Sequence, residues 1–364
     1  MIHLENKIYS LYIHIPFCKH ICFYCDFPKL FLINNIVDKY LKTLIFELQK
    51  LKINHKLKTI YIGGGTPTSV KLTLLLKALK KYVDKNTEFT IEGDINDFNK
   101  KKILEFKKNG VNRISIGVQS TDNKILRHLG RAHTKEQIFK KMQLIKQYFS
   151  NINIDLIYGF NELSIKKLRH ILKEYLSLGV QHISTYSLEI KKGTIFFNQN
   201  KKEADDKLVC RQFDIIFDTL TKNNFFRYEI SNFSKKGFES KHNLNYWKNK
   251  EFYGIGLGAA SYVNGFRYKN TLSMTEYLKK NFICEREKIS LAENKKYYVM
   301  LNLRTSQGIN LDEYKKVFSE DFFEKNKEKI KYFIKKKFLR KNKKNIIATY
   351  DGSMVLDRII MDFF

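Results

Sequence analysis

Five cysteines in 364 residues are too few and too unevenly spaced for a disulfide scaffold. No apolar run is long enough to span a bilayer. The start, MIHLENKIYS, lacks a basic segment followed by an apolar one, so no secretory leader is read there and the expected address is cytoplasmic. Proline (3) and tryptophan (1) are scarce while lysine, asparagine, isoleucine and phenylalanine abound, the profile of an AT-rich coding sequence. That profile also explains the net charge of +30 as lysine spread over the whole surface. The basic runs at 100–102, 335–337 and 341–344 are scattered and not interleaved with aromatic platforms, so no specific nucleic-acid partner is expected. What is present is 43% hydrophobic and 29% charged residues, suited to a globular protein with one large core and a smaller appended domain.

Short β-branched or aromatic runs alternate with amphipathic ones up to about residue 190. Strands are predicted at Tyr9–Ile15, Thr59–Ile62, Phe89–Glu92, Arg113–Val118, Ile152–Tyr158 and His182–Leu188. Helices are predicted at Val37–Leu51, Leu72–Val83, Phe98–Lys108, Glu136–Phe149 and Ile165–Leu178. The third is stopped by Asn109-Gly110 and the last by Gly179. Six such units imply an α/β fold with a parallel sheet curled into a partial (β/α)6 barrel. Past residue 190 a helix is expected at Ala204–Thr221, a strand at Phe226–Ile230, a Gly- and Tyr-rich stretch with little periodicity over Ser240–Asn270, and a short alternating segment, IIATYDGSMVLDRII, at the end. The predicted organisation is a barrel over 1–235, a connecting segment over 236–290, and a small mixed α/β domain over 291–364.

Three of the cysteines sit together as Cys18-Lys-His-Ile-Cys22-Phe-Tyr-Cys25, directly after the first strand. Three thiolates in one tight loop can hold three irons of a 4Fe–4S cubane and leave the fourth open to an amine and a carboxylate. A structural zinc site is the alternative. It needs four ligands, and His14 and His20 are the nearest spare ones. Gly63-Gly64-Gly65-Thr66 follows the second strand, where glycines admit close approach of a ligand to the backbone. Glu92, Gln119 and Asp155 lie at or near later strand ends, on the rim where such folds place their chemistry. Cys210 and Cys284 stand alone and are read as small apolar residues.

The motifs YIHIPFCKHICFYCDF, YIGGGTPT, GVNRISIGVQS, LGRAHT, DLIYGF and YEISNFSKKGFESKHNLNYWKNKEFYGIGLGAASY resemble, in order and over nearly the whole chain, those of the HemN-like radical-SAM proteins. The resemblance implies a radical-SAM barrel, a 4Fe–4S cluster on Cys18, Cys22 and Cys25, and S-adenosylmethionine contacts at Tyr12, Tyr24, Gly64, Gly65, Thr66, Glu92, Gln119, Arg131 and Asp155. Within the family, oxygen-independent coproporphyrinogen III oxidases carry a further cysteine two residues after the triplet and a longer N-terminal arm. Here that position is Phe27, and only about ten residues precede the first strand. The haem-chaperone branch has CDF at this point and an HNxxY motif further on, matched by His242, Asn243 and Tyr246. The likeness to that branch implies haem as cargo, respiratory haem proteins as acceptors, an electron donor, and no coproporphyrinogen III oxidase activity. It is compatible with a homodimer, and the basic charge with peripheral membrane contact. Imidazole is a common axial haem ligand and phenolate a rarer one, which fits His242 and Tyr246 on a loop; Lys and Arg could pair with propionates. The rival reading is a radical-SAM enzyme acting on a tetrapyrrole. Two departures stand out. Glu92-Gly93-Asp94-Ile95 lacks the family's Asn and Pro, and the turn Phe160-Asn161-Glu162-Leu163-Ser164, expected on the ligand-facing rim, replaces Leu-Pro-Gly-Gln-Thr.

Overall fold

The computed structural model describes residues 7–364. Six strands, β1 (Ser10–Ile15), β2 (Thr59–Gly64), β3 (Glu88–Gly93), β4 (Arg113–Gln119), β5 (Ile152–Tyr158) and β6 (His182–Ser187), run parallel in chain order. The crossovers carry α1 (Asn34–Lys50), α2 (Thr73–Leu79), α3 (Lys100–Lys108), α4 (Lys135–Lys146) and α5 (Ile165–Ser177). Helix boundaries follow local chemistry. Thr134 and Gln137 form a reciprocal capping box on α4, and Ser164 caps α5. Gly110 (φ +91°) and Gly179 (φ +68°) take the left-handed conformation that ends α3 and α5.

Register explains why these strands bury both faces. Ile13, Ile62, Ile91, Ile114 and Ile152 are direct neighbours across five strands, each 0–1% exposed beneath the helices. Each such side chain contributes about 1.5–3 kcal/mol of burial. The alternate positions face inward and are polar: Tyr61 lies beside Thr90 and Thr90 beside Arg113, and one tier on Glu92 lies beside Ser115 and Ser115 beside Asn153. The interior of the arc is therefore a polar shaft inside an apolar sleeve.

The sheet does not stop at six strands. After α6 (Asp206–Lys222), β7 (Phe226–Arg227) and β8 (Asn232–Ser234) extend the β6 edge, β8 antiparallel to β6 and β7 antiparallel to β8. At the opposite edge β9 (Tyr253–Ile255) pairs parallel with β1. The segment 236–290 is thus more than a connection. It contributes a short helix, α7 (Lys241–Trp247), a strand of the main sheet, and a three-stranded antiparallel sheet over 260–288. Glu47 on α1 pins it: the buried carboxylate accepts from Gly256 N (2.9 Å), Asn270 Nδ2 (2.6 Å) and the Tyr277 hydroxyl (2.6 Å).

A second core gathers Tyr298, Val299, Tyr314, Phe322, Ile330 and Phe363, with a small sheet over 309–310, 339–341 and 345–348. The end of the chain, expected to alternate, is a strand (Asn345–Ala348) followed by helices Tyr350–Met354 and Leu356–Asp362. Leu356, Ile359, Ile360 and Phe363 are buried at helical spacing, which outweighs the local alternation. Among the described residues no helix is long and apolar enough to cross a membrane.

Candidate functional site

The cysteine loop leaves β1 at its carboxyl end. Phe17-Cys18 pairs parallel with Leu30-Phe31, Leu30 N donates to Pro16 O (2.7 Å) and Leu32 N to Cys18 O (3.0 Å), closing the loop into a clasp. Cys18 is buried, and Cys22 and Cys25 are half-buried. Burial pushes the Cys25 thiol up to about 11 and raises Cys18 as well. Thiols so placed keep their protons until a cation compensates the thiolate charge. Two donors already face the sulfurs: Arg131 Nη1 lies 3.0 Å from Cys22 Sγ, and the Thr66 hydroxyl 3.5 Å from Cys18 Sγ. Zinc needs four converging ligands. Of the two spare candidates, His14 is bonded to Pro28 O (2.9 Å) and the Tyr12 hydroxyl (3.0 Å), and His20 lies on the wall of the cavity that the cysteines share.

Above the clasp opens a cavity of about 540 Å³. Its wall includes all three cysteines together with Tyr24, Gly64, Gly65, Thr66, Glu92, Gln119, Arg131 and Asp155. The strand ends explain the gathering, since parallel strands deliver their carboxyl-terminal residues to one rim. Glu92 is held by the Tyr61 hydroxyl (2.6 Å on Oε1) and Gly64 N (3.1 Å on Oε2). Burial raises its carboxyl to about 7 against those two donors. Burial also raises Asp155, although Asn153 Nδ2 donates to it at 2.8 Å. Gln119 sits at φ +68° where the β4–β5 register breaks, and its buried Oε1 has no partner. A non-glycine residue held in that region is strained, and such strain collects where a ligand is gripped. A side chain at Gly65 would meet Cys18 Sγ and Pro16 at 2.8 Å, and one at Gly64 would meet the His14 ring at 2.8 Å. An orphaned acceptor, two carboxyls with raised affinity for protons, a glycine cradle and three clustered thiols fit an iron–sulfur cluster beside a cationic sulfonium ligand with ribose hydroxyls.

Four sequence-predicted residues lie off this wall. Tyr12 faces the shaft lower down and stacks on Tyr61 (6.2 Å between ring centres). His242, Asn243 and Tyr246 are on helix α7, not on a loop. His242 is 1% exposed, with Nδ1 bonded to the Thr59 hydroxyl (2.8 Å) and Nε2 to the Tyr246 hydroxyl (2.7 Å), so neither ring nitrogen is free in this conformation. The turn 160–164 is also not on the wall. Phe160 and Leu163 point into the core, and buried Gln212 clasps the turn through Gly159 N (2.7 Å) and Leu163 O (2.6 Å).

Sequence reasoning missed three polar residues. Asp94, named only as a departure, accepts from Arg131 Nη2 (2.8 Å) and caps Asn96 N, so it anchors the arginine that reaches Cys22. Burial opposes its ionisation, but His133 and the Arg131 guanidinium override that and hold it down at about 2. Arg113 is buried beneath the cavity with its Nε unpaired, and its charge bears on Glu92 and Asp155. Tyr61 supports Glu92. Inward parity with Glu92 along adjacent strands was the available signal for both Arg113 and Tyr61.

Comparison with known proteins shows the family and the fold. The Radical SAM superfamily covers residues 12–175. The heme chaperone HemW of Lactococcus lactis is 36% identical over 98% of this chain and 98% of its own, and that of Bacillus subtilis 35% identical over 86% of each. Coproporphyrinogen III oxidase HemN from Escherichia coli, a radical SAM enzyme, shares the fold with a TM-score of 0.86 at 20% identity, over 100% of this chain and 91% of its own. With a polar shaft, a cysteine clasp at its rim and end-to-end identity above one third, this chain belongs to the HemW heme chaperones within the radical SAM superfamily.

Proposed function

We propose that this chain is a cytoplasmic haem chaperone that binds haem, a 4Fe–4S cluster and S-adenosylmethionine, and delivers haem to respiratory haem proteins. The observation that carries the reading is the 36% identity, over 98% of both chains, with a protein named heme chaperone HemW. Cys18, Cys22 and Cys25 would hold the cluster, which when bound supplies one-electron chemistry at the cavity wall. Gly64, Gly65, Thr66, Glu92, Gln119 and Asp155 would bind and orient S-adenosylmethionine, with Tyr24 and Arg131 flanking the cluster. Asp94 fixes Arg131, and Glu92, near the midpoint of its titration at neutral pH, can hold or release a proton facing the cavity. At the position where the oxidases have a further cysteine, Phe27 lies on the cavity wall, 63% exposed, and Phe31, 61% exposed, is on the strand of the clasp that pairs with Cys18. That apolar rim suits a flat macrocycle better than a fourth thiol would. Haem iron would take His242 or Tyr246 only with α7 displaced, because in this structure both imidazole nitrogens are bonded to hydroxyls, one of them that of Tyr246.

The test is haemin titration of the cluster-reconstituted protein, run beside a coproporphyrinogen III decarboxylase assay. Raised salt screens loose pairing of propionates with a surface of net charge +30. Saturable binding with a shifted Soret band and no protoporphyrinogen IX is expected. Absence of saturable binding, or clear turnover, overturns the reading.

A further inference from the structure

The cavity opens at the carboxyl end of the barrel strands, and the opposite end is closed by α7. Glu88, the first residue of β3, accepts from Lys241 N and His242 N, both at 3.0 Å. A carboxylate on two free amides at a helix start satisfies donors that the helix cannot pair itself. Ser240 caps Asn243 N (3.3 Å), and Thr59, the first residue of β2, holds His242 Nδ1. The helix is thus fastened to the amino-terminal ends of two barrel strands, and its histidine enters the shaft.

Inside the shaft the His242 ring lies flat on Tyr61, 5.0 Å between centres at 25°. Tyr12 covers Tyr61 as well, at 6.2 Å and 28°. Tyr61 in turn donates its hydroxyl to Glu92 Oε1 at 2.6 Å, and Glu92 is on the cavity wall. A continuous column therefore runs from Tyr246 through His242 and Tyr61 to Glu92. Burial drives the imidazole down to about 3, so it is neutral and works by shape and by its two hydroxyl partners.

We propose that α7 plugs the end of the barrel shaft opposite the cofactor cavity and that His242 is a positioning residue, acting on the cavity only through Tyr61, which it holds so that the hydroxyl stays on Glu92. The inference rests on the reading of the cavity as the S-adenosylmethionine site. Without the imidazole, Tyr61 loses its closer stacking face and has room to tilt, and Glu92 loses its strongest donor. The titratable groups whose charge bears on Glu92 are Tyr12, Tyr246, Arg113, Asp155 and Tyr186, and Tyr61 touches it directly. Of these the Tyr61 hydroxyl does most to keep the carboxyl low, so its displacement raises the pH at which Glu92 ionises.

The experiment is calorimetric titration of the cluster-loaded protein with S-adenosylmethionine from pH 5.5 to 8.5, with iron content measured on each sample. His242→Ala is expected to bind at least ten-fold more weakly than wild type, with the pH midpoint of affinity moved upward. Tyr61→Phe, which keeps the ring and removes only the hydroxyl, should reproduce both changes with full iron, and adding His242→Ala to it should cost little more. His242→Phe, which keeps a flat ring on Tyr61, should recover most of the affinity. Wild-type affinity and midpoint in either His242→Ala or Tyr61→Phe, or additive losses in the double variant, would overturn the positioning role. Failure of the wild type itself to bind S-adenosylmethionine would overturn the cavity reading, and the proposal with it.

Discussion

Gly65→Ala isolates the cradle from every other element of the site. Gly65 has no left-handed backbone, so alanine there is not strained by conformation. The added methyl would sit 2.8 Å from Cys18 Sγ and 2.8 Å from the Pro16 carbonyl carbon and oxygen. Comfortable contact is about 3.5–4.0 Å, so the overlap is close to 1 Å. Relief on the Pro16 side strains the clasp, because Gly65 N is tied to Ile15 O (2.8 Å) and Pro16 O receives Leu30 N (2.7 Å), and on the other side the Cys18 side chain must move. Overpacking of this kind costs about 1–3 kcal/mol, and each kcal/mol lowers Tm by no more than about 2–4 °C in a chain this long. The variant should therefore fold yet hold its cluster poorly. Iron and sulfide per chain, with visible absorbance, report it. Gly193→Ala is the comparison: φ is +88° there with nothing within 4 Å, so it pays only backbone strain of about 1–2 kcal/mol and should keep all its iron. Full iron in Gly65→Ala would refute the steric reasoning and with it the placement of Cys18 against the glycine cradle.

Anaerobically purified protein should carry about four irons per chain; Cys22→Ser should abolish them, whereas Cys210→Ser and Cys284→Ser should not, and iron retained in Cys22→Ser would break the ligand assignment. Glu229 is buried at the junction with the small domain and its carboxyl is raised from 4.5 to about 7, by burial first. A raised folded value means that the native state binds this proton more tightly. Its contribution is whole below pH 4.5 and fades as pH rises to 7, on the order of 3 kcal/mol in all; urea unfolding at pH 5 and 8 should show less of that fall in Glu229→Gln, and an unchanged slope would contradict it. Glu47→Ala orphans three buried donors at about 1–3 kcal/mol each, so its urea midpoint should drop sharply and amides near Gly256 should exchange faster; a wild-type midpoint would mean the carboxylate is not the pin.

The six barrel strands were legible because β-branched runs and turn residues alternate cleanly, and their observed bounds lie within two residues of the reading, whereas the strand read at Phe226–Ile230 is only Phe226–Arg227. The cysteine triplet and the glycine run announce themselves by spacing, and the register then brings Glu92, Gln119 and Asp155 to the same wall. The HNLNYW segment was illegible as a helix for a physical reason. Seven residues carry too few turns for a period, and its stability comes from Glu88 and Thr59, which lie some 150 and 180 residues away in sequence. The turn 160–164 misled in the other direction. Family position set it on the rim, but Phe160 and Leu163 are apolar anchors that pull it into the core. Asp94 shows a substitution that keeps a local job, capping the short helix over 95–97 while holding Arg131.

The pairing of β1 with β9 sets the order in which this protein can be made. Leu11 finds Tyr253 only after about 240 further residues have been added. At 5–20 residues per second that is roughly ten to fifty seconds of synthesis. Once β2 has been made, the first strand has one edge paired and one edge bare for the rest of that interval, and α1 carries Glu47 with none of its three donors yet in existence. An unpaired strand edge is a template for other chains. The nascent chain therefore stays open to aggregation until late in translation, and a ribosome stalled before residue 253 leaves the cysteine clasp built on an open seam.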